Sequence, residues 1–132
     1  MKKKVEIYID GSSRGNPGPG GIGIHIKAGK EEFRISEPIG EVTNNEAEYR
    51  ALIRALEETR IQGFERIVIK TDSSLLVNQI LGNYRIKSKK IIPLYKKVQE
   101  LLKGIKYQFR LIPREENRIA NNLAFNASTT SG

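Results

Sequence analysis

The chain has no cysteine and a single histidine in 132 residues. That excludes a disulfide framework and any thiolate metal site. It also leaves too few imidazoles for a zinc site built from histidines. No apolar run approaches the roughly 20 residues needed to cross a bilayer. The N-terminus reads Met1-Lys2-Lys3-Lys4 and then a strand pattern, in which Glu6 and Asp10 interrupt the apolar stretch that a signal peptide requires. A cytoplasmic protein is therefore expected, and the Asn126-Ala127-Ser128 sequon is read as chance. No internal repeat or low-complexity segment is visible. The length suits one domain with one core, expected over residues 1–127, followed by a disordered tail at 128–132.

Positive charge is abundant. Lys and Arg number 23 against 15 Asp and Glu, a net charge of +8. An inert basic surface and an anionic partner, nucleic acid first, both fit that balance. Local patterning favours the second, because Arg85, Lys87, Lys89, Lys90, Lys96 and Lys97 fall in one short stretch that holds no acid.

Hydrophobic periodicity predicts the order β-β-β-α-β-α-α-β-α. Strands are expected at residues 4–10, 21–27, 31–38, 65–71 and 105–112. Helices are expected from Thr43, whose pairing with Glu46 forms a capping box, and at 73–81, 88–102 and 115–127. Pro93 is expected either in the first turn of the third helix or at a kink in it. The Gly- and Pro-rich segment 11–20 is expected to hold no regular structure. A three-strand meander followed by βα units implies a mixed sheet with helices on its faces.

Asp10 and Asp72 each end an apolar strand, and Glu48 lies on the helix between them. Singly, each acid reads as a turn or cap residue. Together they read as a cluster, and clustered carboxylates need cations or raised pKa values. A donor set of hard oxygens points to magnesium or manganese rather than zinc. The glycines of 11–20 do not form a Walker A loop, but they allow backbone amides to approach a ligand. Asn44 and Asn45 stand in a first helical turn, where ordinary helix starts and anion contacts both occur. His25 faces away from Ile22, Ile24 and Ile26 and reads as a surface or packing residue.

Four motifs in order resemble those of type 1 ribonuclease H across essentially the whole chain. They are Tyr8-Ile9-Asp10-Gly11-Ser12-Ser13-Arg14-Gly15-Asn16-Pro17-Gly18, Thr43-Asn44-Asn45-Glu46-Ala47-Glu48, Thr71-Asp72-Ser73, and Pro113-Arg114-Glu115-Glu116-Asn117 followed by Ala120-Asn121-Asn122-Leu123-Ala124. The segment from Tyr84 to Tyr95 looks closest to the compact archaeal and bacterial branch. The resemblance implies an α/β ribonuclease H-like fold with a five-stranded mixed sheet. It implies an endonuclease that cuts the RNA strand of RNA/DNA hybrids, leaving 5′-phosphate and 3′-hydroxyl ends. It further implies two Mg²⁺ ions, or Mn²⁺ in their place, roughly 3.5–4 Å apart. Asp10 would bridge both ions, Glu48 and Asp72 would hold the one that activates water, and position 121 would hold the other. Ser13, Gly15, Asn16, Asn44 and Glu48 are implied readers of the 2′-hydroxyl. Asn45 and Asn78 are implied minor-groove contacts, Thr43 a seat for a DNA phosphate, and Lys87, Lys89 and Lys90 phosphate contacts. Asn117 joins the substrate-contact set. No obligate protein partner is implied, and the chain is taken as a monomer with no membrane contact.

Two departures stand out. The family has Asp where this chain has Asn121, with the register set by Asn117 and Leu123-Ala124. An amide carries no charge and ligates Mg²⁺ weakly, so binding should survive while cleavage falls by orders of magnitude. An introduced Asp-to-Asn change fits better than a naturally non-catalytic binding paralogue, since every other motif is intact. The second departure is the loop before the last helix, where many family members carry a histidine. Here it offers only Arg114, Glu115 and Glu116.

Overall fold

A computed structural model describes residues 4–130. Its elements are β1 (Val5–Ser13), β2 (Gly18–Ala28), β3 (Glu31–Val42), α1 (Asn44–Gln62), β4 (Arg66–Thr71), α2 (Ser74–Ile80), α3 (Ile91–Leu102), β5 (Lys106–Leu111) and α4 (Arg118–Ser128). A 3₁₀ turn at Arg114–Glu116 precedes α4. The five strands form one mixed sheet in the order β3-β2-β1-β4-β5. The first three run antiparallel, while β4 lies parallel to β1 and β5 parallel to β4. This is the expected ribonuclease H-like architecture.

The core follows from alternation along the strands. Val5, Ile7 and Ile9 of β1, Ile22, Ile24 and Ile26 of β2, and Ile67 and Ile69 of β4 are all buried. Their faces meet α1, whose buried stripe includes Ala47, Ala51, Leu52, Ala55 and Leu56. Truncating a fully buried leucine such as Leu52 to alanine costs about 2–5 kcal/mol. The start of α1 is sharp because Thr43 accepts from the Glu46 N–H while the Glu46 carboxylate accepts from the Thr43 N–H. It ends at Gly63, whose φ of 73° suits glycine. The buried Tyr49 hydroxyl donates to Gln79 Oε1 at 2.9 Å and ties α1 to α2.

The other face of the sheet is covered at one end by α4. The contact is unusually close. A Cβ on Gly23 would stand 2.2 Å from the Ala120 carbonyl oxygen, and one on Gly21 would stand 2.4 Å from the Ala124 carbonyl oxygen. The helix therefore rests on the backbone of β2.

Four local expectations change. Most of residues 11–20 is strand: β1 continues to Ser13, β2 begins at Gly18, and Ser13 pairs with Gly20. Ladder hydrogen bonds outweigh the weak strand preference of glycine there. The third helix starts at Ile91, not 88, with Pro93 in its first turn. The last helix starts at Arg118, not 115, because Arg114–Glu116 wind as a 3₁₀ turn behind Pro113. The expected tail begins too early, since Ser128 is buried in α4 and its hydroxyl donates to the Phe125 carbonyl at 2.7 Å. Residues 131–132 of that tail, like Met1–Lys3, lie outside the described residues.

Candidate active site

Asp10, Glu48 and Asp72 come together as one cluster, with a carboxylate oxygen of each within 4.8 Å of the others. Three elements place them. Asp10 lies on β1, two residues past Tyr8, and Asp72 follows β4, two residues past Lys70. Because Tyr8 and Lys70 are parallel partners, the two acids emerge side by side. Glu48 arrives from the first turns of α1, where its Oε1 accepts from the Gly11 N–H at 2.8 Å. That approach depends on Gly11, because a Cβ there would lie 2.1 Å from the Ala47 carbonyl carbon and oxygen.

The electrostatics suit a cation-binding site. Burial, and then the charge of Asp72, push the Asp10 carboxyl up from 3.8 to about 7, with Arg114 pulling the other way. Burial, and then the charge of Asp10, hold the Glu48 carboxyl well above the ordinary carboxylate range, again opposed by Arg114. Crowded, buried oxygens that resist ionisation gain most from a divalent ion, which removes both penalties at once.

Asn117 immediately precedes α4 as its N-cap and is almost wholly buried. Its amide nitrogen donates to the Ile9 carbonyl at 2.9 Å and lies 3.4 Å from Asp72 Oδ2. It is therefore a brace between β1 and Asp72. The expected substrate contact does not hold for this side chain, because burial keeps it from a duplex. One turn later, the Asn121 amide nitrogen donates to the Arg114 carbonyl at 3.3 Å. The Asn121 Oδ1 is buried and has no hydrogen-bond partner. Three converging carboxylates, all-oxygen chemistry and an unpartnered amide oxygen on the neighbouring helix fit a divalent-cation centre.

The expected substrate residues fall into two groups. Ser13, Gly15, Asn16, Thr43, Asn44 and Asn45 line the join between the β1–β2 loop and the start of α1. There the Asn44 N–H donates to Asn16 Oδ1 at 3.0 Å, and the Ser13 N–H donates to Asn44 Oδ1 at 3.2 Å. The Ser13 hydroxyl has the Val42 carbonyl at 2.8 Å, and the Gly15 and Gly18 carbonyls are also in reach. Thr43 spends its side chain on the helix cap, and Asn45 keeps a buried, unpartnered Oδ1. The second group lies beyond α2. Asn78 donates to the Ser74 carbonyl at 2.8 Å and accepts from Asn83 at 3.0 Å, while Lys87, Lys89 and Lys90 are exposed in the α2–α3 connection.

Two residues gained roles that sequence reasoning had not assigned. Gly11 was hidden in a glycine-rich run, although an Asp-Gly pair at a strand end hints at a close helix approach. Arg114 was one of three charged residues standing where a histidine was missing. Its charge is the one that reaches Asp10 and Glu48. His25 is a packing residue, buried and stacked on Tyr8 at 5.5 Å between ring centroids.

A central mixed sheet carrying carboxylates on β1, α1 and the end of β4 defines a ribonuclease H-like nuclease domain. A family model described as reverse transcriptase-like matches residues 8–127. Ribonuclease HI of Halobacterium salinarum is 36% identical over 124 residues, covering 92% of this chain and 62% of that protein. The crystal structure of RNase H1 from the same organism superposes with a TM-score of 0.90 at 36% identity, covering 95% of this chain and 97% of that one. The N-terminal RNase H domain of the bifunctional protein Rv2228c from Mycobacterium tuberculosis gives a TM-score of 0.90 at 35% identity, covering 96% and 99%. LC11-RNase H1 in complex with an RNA/DNA hybrid gives 0.86 at 38% identity, covering 93% and 95%. The chain spans 35% of the length of the whole mycobacterial protein. The chain belongs to the type 1 ribonuclease H family.

Proposed function

We propose that this chain binds RNA/DNA hybrid and hydrolyses its RNA strand at the Asp10–Glu48–Asp72 cluster, with cleavage impaired by Asn121. The convergence of three carboxylate oxygens within 4.8 Å carries the reading. The solved likeness to a relative in complex with a hybrid supports the choice of substrate. Two Mg²⁺ ions held by Asp10, Glu48, Asp72 and Asn121 would lower the pKa of the attacking water and balance the charge on the leaving 3′-oxygen.

The chain's own groups do the rest. The Gly11 N–H fixes the Glu48 carboxylate, and Asn117 fixes Asp72, so neither ligand needs to reorganise as substrate arrives. Hydrogen bonds among Ser13, Asn16 and Asn44 hold one rim together, and in this reading the backbone and amide groups of that rim contact the 2′-hydroxyl. Lys87, Lys89 and Lys90 meet phosphates on the far side without sequence preference. Asn121 supplies a neutral oxygen where the family has an anion, and leaving-group stabilisation suffers most. The domain acts as a cytoplasmic monomer in this reading. Among the described residues, no helix is long and apolar enough to cross a membrane.

A second reading, a natural hybrid-binding paralogue that does not cut, draws on the same observation at position 121. One assay separates the two. Labelled hybrid, double-stranded RNA and double-stranded DNA are incubated with Mg²⁺ and either this chain or its Asn121→Asp variant. Hybrid cleavage that rises by about 10²–10³ in the variant is expected. No cleavage by the variant refutes the nuclease reading, and equal cutting of double-stranded RNA refutes hybrid selectivity.

A further inference from the structure

The face of the sheet turned away from α1 is covered by α4 only at the end nearest the carboxylates. The rest is open, and its charge is one-sided. Cross-strand register places Arg34, His25, Tyr8, Lys70 and Arg110 in one row across all five strands. At about 4.8 Å per strand, the row spans roughly 19 Å. The next row reads Glu32, Lys27, Glu6, Val68 and Gln108, and beyond it Arg66 pairs with Lys106. These positions hold six Lys or Arg residues and two acids, both already engaged. Glu6 lies 2.5 Å from Lys70 Nζ. Glu32 lies 3.3 Å from His25 Nε2 and 3.4 Å from Arg34.

Lys27, Arg66, Lys106 and Arg110 are exposed and have no ion-pair partner among the described residues. Solvated sheet faces usually alternate sign, because like charges on neighbouring strands repel. This face keeps Lys106 beside Arg66 and Arg110 beside Lys70. Lys27 and Lys70 also flank the Tyr8 ring, at 5.5 and 5.1 Å from its centroid. Near α4, a recess of about 170 Å³ is lined by Tyr8, His25, Lys27, the two acids Glu115 and Glu116, and the first residues of that helix. The α4 start has no side-chain cap, since Asn117 is turned to Ile9 and Asp72. Its free N–H groups border the recess and add to the positive potential.

We propose that this open sheet face is a second nucleic-acid-binding surface, which holds the phosphate backbone of a strand other than the one at the carboxylates. The charge selects a polyanion, and six cations spread over four of the five strands suit a repeating phosphodiester chain rather than one small anion. No aromatic ring on this face is free to stack, because Tyr8 is engaged by His25 and two lysines. Binding is therefore backbone-driven and indifferent to sequence. The surface lies one register step behind Asp10 and Asp72, so it keeps nucleic acid near the cleavage site while substrate exchanges. It does not depend on the proposed cleavage.

The test is a salt titration of binding to a fluorescent oligothymidine of about 20 nucleotides in EDTA, read by anisotropy. Three proteins are compared: the parent, a Lys27→Gln/Arg66→Gln/Arg110→Gln variant, and a control that loses equal charge elsewhere through Lys30→Gln/Arg50→Gln/Lys103→Gln. The face variant should lower the slope of log K against log salt by about 2, with the control little changed and melting temperatures alike. Equal slopes for parent and face variant, or equal losses in both variants, overturn the proposal. Binding of the parent to phosphatidylserine vesicles but not to the oligonucleotide also overturns it. Hybrid cleavage by the Asn121→Asp protein, with and without the face changes, is run alongside. Absent cleavage with the expected slope change sinks the nuclease reading alone.

Discussion

Replacing Asp10 with asparagine should stabilise the metal-free protein, and only at neutral and alkaline pH. The Asp10 carboxyl is raised by burial and by Asp72 from 3.8 in the unfolded chain to about 7 in the fold. A group raised in this way adds stability below its unfolded pKa and loses that contribution as pH climbs to its folded value. The loss falls between pH ~4 and ~7. A difference of about 3 pKa units, at 1.36 kcal/mol per unit, corresponds to about 4 kcal/mol. An asparagine at this position keeps the shape and carries no charge. Asp10→Asn should therefore match the parent below pH ~4 and exceed it by up to about 4 kcal/mol at pH ~8. Urea denaturation in EDTA at half-unit pH steps measures both curves, and their difference cancels the effect of the high overall charge. Adding Mg²⁺ at pH ~8 should stabilise the parent and leave the variant almost unmoved, since binding to the folded state alone raises stability. A flat difference across pH ~4–8, or a variant less stable than the parent at the alkaline end in EDTA, refutes the account of a strained carboxylate cluster.

Other perturbations report on the neighbours of that cluster. Gly11→Ala should cost about 3 kcal/mol or more and lower Mg²⁺ affinity, because the new methyl meets Ala47 backbone rather than a movable side chain; a thermal melt and a calorimetric Mg²⁺ titration check both. Arg114→Ala removes a cation that favours ionised Asp10 and Glu48, so the pH at which metal binding is half-maximal should move upward; an unchanged midpoint would free Arg114 from that role. Changing Lys87, Lys89 and Lys90 together to Ala should weaken hybrid binding and reduce the salt slope by up to about 3, measured by anisotropy on a hybrid duplex.

Much of the architecture was legible because burial imposes period on sequence. The alternation in Val5–Ile9 and Ile22–Ile26 and the stripe from Ala47 to Leu56 each admit one secondary structure. The three acids were legible because each ends or faces such an element. The segment 11–20 misled for a definite reason: glycine is a poor strand former alone, yet here it permits the ladder to continue beneath α1 and α4. Asn117 misled differently. A polar residue in a motif suggests contact with substrate, and only the packed helix shows that it faces inward to Ile9 and Asp72. Ser128 looked like tail because its partner, the bare backbone of Gly21, is invisible to any local pattern.

Gly21 and Gly23 give β2 a thickness no greater than its backbone, and α4 descends to fill the missing volume. Asn117 and Asn121 ride on that helix, so the height of α4 above the sheet sets how far their amides stand from the carboxylates. A single methyl at either glycine would act as a shim, lifting or tilting the helix without touching any ligand. The geometry around the carboxylate cluster, usually sought in the acids themselves, is therefore adjustable from two positions on a neighbouring strand that bear no side chain at all.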